Sequence, residues 1–153
     1  MNKCIYILII FALVTISGCL NEENEFDASV FQTHAKNTDD AIDYFIDSGK
    51  EFNAALSELE EASYQYNKNP TLETKRELNT KIRKMKSATN AFDVSMTLLD
   101  AQLTVMSTYL EENKESINES SYIGINQRLT SFRAQLDSNE EVIADAHALE
   151  FVE

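Results

Sequence analysis

The sequence predicts an all-α fold, specifically an elongated antiparallel three-helix bundle with coiled-coil-like packing. The chain has only three glycines and one proline in 153 residues, too few for the many turns of an all-β fold. Its apolar residues recur at steps of three and four positions, which is the spacing of one helix face. Two short polar stretches divide this pattern into three segments, and short connections make neighbouring helices antiparallel.

The first helix is predicted at about 26–67. Its inward-facing positions are Phe26, Val30, His34, Asn37, Ala41, Phe45, Ser48, Phe52, Ala55, Leu59, Ala62 and Tyr66. Gly49 weakens the helix by about 1 kcal/mol relative to alanine, and Ser48 with Glu51 has the spacing of a capping box. The sequence therefore leaves open whether this helix is continuous through Gly49.

The second helix is predicted at about 71–113, because Pro70 is favoured in a first helical turn and disfavoured in a helix interior. Its inward-facing positions are Leu78, Ile82, Met85, Thr89, Phe92, Met96, Leu99, Leu103, Met106 and Leu110. Their steps alternate between four and three, and a repeat of about 3.5 residues predicts left-handed supercoiled packing.

The third helix is predicted at about 118–152, since Ser116 and Glu119 have capping-box spacing. Its inward-facing positions are Tyr122, Ile125, Leu129, Phe132, Leu136, Ile143 and Ala146. Asn139 or Glu140 interrupts this pattern.

The second helix carries few charges over residues 87–110, where Asp93 and Asp100 are the only ionised residues. Leu98, Val105 and Tyr109 lie beside its inward face, and a helix that is apolar on more than one face is buried on more than one face. Contact with two neighbouring helices explains part of this pattern. The rest predicts a protein partner, or self-association, on the surface of Leu98, Val105 and Tyr109.

The amino-terminal segment has the three-part layout of a secretory signal. Lys3 supplies a positive charge, residues 5–16 form an uncharged apolar run, and the small residues Ser17 and Gly18 precede Cys19. The apolar run is shorter than the 20 or so residues of a membrane span.

The sequence I-S-G-C, Ile16 to Cys19, resembles the lipobox of prokaryotic lipoproteins. The resemblance implies cleavage between Gly18 and Cys19 and attachment of a diacylglyceryl group to the Cys19 thiol, since stable anchoring takes two acyl chains. Residues 1–18 are then the signal peptide, 19–25 the lipidated cysteine with an acidic tether, and 26–153 the helical bundle. The protein would be extracytoplasmic and anchored by lipid to the cell membrane, or to the outer membrane if the host has one. An uncleaved signal anchor is the alternative.

The residues that usually carry catalysis or bind metals are nearly missing from the sequence. Cys4 and Cys19 are the only cysteines, so the bundle has no thiolate metal site. His34 and His147 lie in different helices, and neither belongs to the Glu-x-x-His pair that a di-iron bundle needs. No phosphate-binding glycine loop is present. We therefore expect no catalytic residue, no metal, no cofactor and no enzyme activity, and a net charge of -13 predicts no nucleic-acid partner.

A basic cluster stands out in this acidic chain. Its members are Lys75, Arg76, Lys81, Arg83, Lys84 and Lys86. The cluster is either an anion-binding site or the partner of Glu51, Glu58, Glu60 and Glu61 on the first helix. We favour pairing, because antiparallel helices commonly place opposite charges along their edges.

The sequence thus predicts a lipid-anchored extracytoplasmic bundle that acts as a protein-interaction or spacer module of the cell envelope. The alternative is a sensory or small-molecule-binding bundle. That alternative predicts a cavity under Phe92, Met96, Tyr109 and Phe132.

Overall fold

The computed structural model describes residues 27–153 and consists of three helices. They are α1 (Ala28–Lys68), α2 (Leu72–Glu112) and α3 (Glu119–His147). Lys81 in the first half of α2 bonds to Glu58 in the second half of α1. Tyr122 near the start of α3 bonds to Glu111 near the end of α2, and His147 at the end of α3 lies beside Asp93, which is earlier in α2. Each helix is therefore antiparallel to the next, and the predicted all-α three-helix bundle is confirmed.

Side-chain caps fix the beginnings of all three helices. The Asp27 carboxylate accepts hydrogen bonds from the backbone N–H groups of Ser29 and Val30 at 2.9 and 3.3 Å. Thr71 caps α2 and Asn118 caps α3 in the same manner. These side chains satisfy amide groups of the first turn that have no partner within the helix.

Helix α1 is continuous through Gly49, which is buried. The Ser48 hydroxyl lies 3.1 Å from the Phe45 carbonyl oxygen and 2.6 Å from the Ser95 hydroxyl. It is therefore engaged with its own helix and with α2, so it does not cap a new helix start.

The core forms around α2, where all ten predicted inward-facing residues are buried. Phe92 lies between Phe45 and Phe52 of α1, with ring centroids 5.2 and 5.3 Å away. The predicted positions of α1 from Ala41 to Ala62 are buried as well.

The first turns of α1 differ from the prediction by one position. Thr38 is buried, whereas Asn37 is exposed and Val30 is at the surface. The Thr38 hydroxyl donates to the His34 carbonyl oxygen at 2.8 Å, so its burial leaves no unpaired polar atom. An asparagine amide at the same place would need more partners.

Helix α2 is the central element, and α1 and α3 pack on different sides of it. Among the described residues, no Cα atom of α1 lies within 8 Å of a Cα atom of α3. Helix α3 is also shorter, with 29 residues against 41 in each of the others. At a rise of 1.5 Å per residue it is about 18 Å shorter than α2.

Helix α3 ends at His147 and not near 152 as predicted. Residues 148–153 leave the helix and lie against α1 and α2 beyond its end. The Val152 N–H donates to Asn79 Oδ1 at 2.9 Å, and Asn79 Nδ2 donates to the Val152 carbonyl oxygen at 3.1 Å. These two bonds require backbone groups that point sideways towards α2, whereas a helix directs them along its own axis.

Candidate functional site

The predicted partner surface on α2 is divided by the structure. Leu98 and Val105 are exposed, at 42% and 41%, and Val94 on the same face of the helix is 59% exposed. Val94, Leu98 and Val105 form a row at steps of four and seven residues, which we call the apolar stripe. It runs along the outside of α2, away from the core residues Leu99 and Leu103.

Tyr109 does not continue the apolar stripe, because it packs against the start of α1. Its hydroxyl donates to the Asp27 carbonyl oxygen at 3.0 Å. Its ring lies 6.2 Å from that of Phe31 and 5.1 Å from that of His34. Burial, together with the nearby Asp27 charge, raises the pKa of Tyr109 above its usual value. Tyr109 thus holds the beginning of α1 onto the end of α2.

The basic cluster is divided between two environments. Lys81 and Lys84 donate to the two carboxylate oxygens of Glu58 at 3.0 and 2.5 Å, and these bonds lower the pKa of Glu58. Arg83 and Lys86 lie 5.6 and 5.9 Å from the ring centroid of Phe151. The sequence therefore predicted pairing with α1 for part of the cluster and missed the contact with Phe151.

A second apolar surface, which we call the distal groove, lies beside the α1–α2 turn. Its apolar lining comes from Leu59, Leu78 and Ile82 of the two helices and from Leu149 and Val152, and its open volume is about 550 Å³. Sequence periodicity did not reveal it, because Leu149 and Val152 were assigned to a helix. The one signal in the sequence is the high content of apolar residues in the stretch Leu149 to Val152, where three of four residues are apolar. This content is higher than in a typical turn of a surface helix.

A third depression, the α2–α3 groove, has a volume of about 490 Å³. Met96, Leu136 and Ile143 contribute its apolar walls, and carboxylates such as Asp100 and Glu140 stand at its rim. Of the four residues under which the alternative function predicted a cavity, Met96 lines this groove. Phe92 is fully buried between two rings of α1.

The two histidines lie in separate surroundings. His34 packs beside Tyr109, while His147 Nε2 is 3.6 Å from Asp93 Oδ2 at the edge of the α2–α3 groove. Among residues 27–153, no three histidine, cysteine, aspartate or glutamate side chains are grouped so that they could hold a metal ion.

The predicted signal peptide, the cleavage site at Gly18 and Cys19, and the tether lie outside the described residues. Within residues 27–153 no helix has an apolar stretch long enough to cross a membrane. Comparison of the chain with models of protein families, with curated proteins and with solved structures gives no match.

Proposed function

We propose that this chain is a lipid-anchored protein of the cell envelope, whose helical rod lies outside the cytoplasm and serves as a protein-interaction or spacer module without enzyme activity. The lipobox-like sequence Ile16 to Cys19 supports the anchor. A diacylglyceryl group on Cys19 would hold the protein at the cell membrane, or at the outer membrane if the host has one.

The rod-like bundle is the observation that carries the spacer role. Helices α1 and α2 have 41 residues each, which corresponds to about 60 Å of helix. A rod anchored at one end through a short tether would hold its other end that far from the membrane surface.

The apolar stripe supports the interaction role. Val94, Leu98 and Val105 leave apolar side chains in water along several turns of one helix. Scattered apolar residues are common on protein surfaces, but an ordered row along a helix is typical of a surface that packs on another helix. A second copy anchored in the same membrane would present its stripe at the same height.

The anchor is tested by intact-mass analysis of the protein isolated from its membrane fraction. We expect a chain without residues 1–18 whose mass includes a diacylglyceryl adduct on Cys19. The variant Cys19→Ser should be neither cleaved nor lipidated. An unmodified chain that begins at Met1 would contradict the proposal.

The apolar stripe is tested by cysteine cross-linking. After the predicted processing Cys4 is removed and Cys19 is acylated, so Leu98→Cys carries the one free thiol. We expect a disulfide-linked homodimer if the stripe self-associates, or a photo-cross-linked partner if it binds another protein. Gln127→Cys, an exposed site on α3, is the matched control, and equal cross-linking from both positions would exclude a role for the stripe.

The α2–α3 groove favours a second candidate function, a small-molecule-binding bundle. A ligand with an apolar body and a cationic group would match its apolar walls and acidic rim. Met96→Trp would fill the groove and also introduce a tryptophan that the natural chain lacks. We expect cationic amphiphiles to raise the melting temperature of the wild type and not of this variant; no shift in the wild type would exclude the candidate.

A further inference from the structure

We infer that the distal groove is a binding site for an extended segment of a partner protein, and that residues 148–153 of this chain occupy the same site in cis. The partner segment would contain an aromatic residue next to an aliphatic residue, with an acidic residue on each side of the pair. The inference depends neither on the lipid anchor nor on the apolar stripe. It rests on three features: recognition of backbone and recognition of an aromatic ring by side chains of α2 beside the groove, and unfilled apolar volume in the groove.

Asn79 supplies the backbone recognition. Its amide side chain both accepts from the N–H and donates to the carbonyl of a single residue, Val152. The bonded groups belong to the main chain, so the same pair can form with any non-proline residue in an extended segment. Peptide-binding proteins use such main-chain bonds for affinity and side-chain pockets for specificity.

Arg83 and Lys86 supply the aromatic recognition. Both cationic groups lie within 6 Å of the Phe151 ring centroid, the range in which the ring face attracts a cation. The ring is nevertheless 47% exposed. Among the described residues, neither cation has a carboxylate within ion-pair distance, so both keep a charge that would attract the acidic residues on either side of an incoming ring.

The apolar volume shows that the occupant in cis fills the groove only in part. Leu149 and Val152 cover Leu78 and Ile82, yet about 550 Å³ remains open. Because α3 ends at His147, no helix within residues 27–153 covers this part of α1 and α2. A longer extended segment from another protein would bury more of this surface than residues 148–153 do.

The segment in cis acts as a competitor. A tethered segment has an effective concentration on the order of 1 mM. If the segment and a free peptide of the same sequence both bind with a dissociation constant of about 0.1 mM, the tethered segment weakens binding of the free peptide by roughly tenfold. The partner must therefore either bind more tightly than residues 148–153 or reach a high local concentration before it displaces them.

The experiment uses the full chain and a fluorescein-labelled peptide with the sequence of residues 148–153, followed by fluorescence anisotropy. Val152→Pro removes the N–H that Asn79 accepts and so releases the segment while leaving all three helices intact. We expect this variant to bind the peptide about tenfold more tightly than the wild type. Adding Asn79→Ala should reduce that binding about tenfold or more, since two hydrogen bonds are lost, whereas Thr80→Ala beside it should not.

Two further measurements test whether residues 148–153 occupy the distal groove and can be displaced from it. A peptide with the Val152→Pro change should not bind, and excess wild-type peptide should accelerate hydrogen exchange at the Val152 amide of the wild-type chain. Equal affinities for wild type and Val152→Pro, or insensitivity to Asn79→Ala, would overturn the inference. If Val152→Pro does not fold, lack of faster Val152 exchange in the wild type would overturn it. Sedimentation equilibrium shows whether the wild type is a dimer and whether the peptide dissociates it. A dimer that the peptide dissociates would overturn the assignment to a partner protein, because the occupant would then be residues 148–153 of a second copy.

Discussion

The hydroxyl groups of Ser48 and Ser95 are predicted to share one hydrogen bond whose loss destabilises the bundle equally whichever residue is changed. They lie 2.6 Å apart in the buried α1–α2 interface. Each also lies near a carbonyl oxygen of its own helix, that of Phe45 at 3.1 Å and that of Phe92 at 2.7 Å. A hydroxyl has one proton to donate, so Ser95 donates to Phe92 and Ser48 donates to Ser95.

This arrangement fixes the expected magnitudes. Ser48→Ala removes the donor but leaves Ser95 bonded to Phe92. Ser95→Ala removes the acceptor, and the Ser48 hydroxyl turns to Phe45. Neither change leaves an unpaired buried group, so each should lower the free energy of unfolding by one hydrogen bond, about 0.5–1.5 kcal/mol. The double variant keeps neither hydroxyl, so it loses both the bond from Ser48 to Ser95 and the bond from Ser95 to Phe92, and it should lose about 1–3 kcal/mol.

The assay is urea unfolding followed by circular dichroism. With a urea slope of about 1–3 kcal/mol/M, a loss of about 1 kcal/mol lowers the midpoint by roughly 0.3–1 M. Ser138→Ala is the control, because its hydroxyl bonds to the Gln135 carbonyl oxygen at 2.8 Å on an exposed face, and its effect should stay within about 0.5 kcal/mol. If either single variant matches the Ser138→Ala control, or if the double variant loses no more than one single variant does, the assigned bonds are wrong and this reasoning is refuted.

Three other changes test different parts of the bundle. Leu103→Ala empties a fully buried site and should lower the free energy of unfolding by about 2–5 kcal/mol in thermal denaturation, whereas Leu72→Ala at an exposed site should change it by less than about 0.5 kcal/mol; equal effects would contradict the assigned core. Burial and neighbouring carboxylates raise the pKa of Asp39, so ionisation of Asp39 opposes folding as the pH rises through that pKa. Asp39→Asn should therefore stabilise the protein by about 0.2–0.5 kcal/mol at pH 7 and have no effect on stability near pH 3. A gain in stability that does not depend on pH would exclude this cause. Tyr109→Phe removes the hydrogen bond to Asp27 and should speed hydrogen exchange in the first turns of α1 without changing exchange in α3.

The ten apolar and threonine positions predicted for the inward face of α2 are all buried, because one uninterrupted 3.5-residue repeat leaves a single arrangement. Ser95 is buried as well and was missed, since apolar periodicity gives no signal for a serine that bonds to Ser48 and Phe92. The sequence was less informative for the first turns of α1, where Thr38 can be buried because its hydroxyl bonds to its own helix. Apolar periodicity treats threonine and asparagine alike there, so the predicted face was displaced by one residue.

The distal groove could not be predicted for a different reason. Its defining contact joins the Asn79 side chain to the backbone of Val152, 73 residues away. Backbone groups carry no sequence signature, and Leu149 and Val152 suit a helix turn as well as an extended segment. The apolar stripe was found in part, since Leu98 and Val105 are exposed, but the contact of Tyr109 with Asp27 depends on where α1 begins.

The lack of close approach between α1 and α3 also bears on the order in which the protein folds. The hairpin of α1 and α2 is complete at Glu112 and already holds Phe45, Phe52 and Phe92 together. Since synthesis proceeds from the amino terminus and the contacts within this hairpin are local in sequence, the hairpin can form before α3 has left the ribosome. Helix α3 then docks on a preformed surface, so a late or defective third helix would leave a partly folded hairpin rather than an unfolded chain.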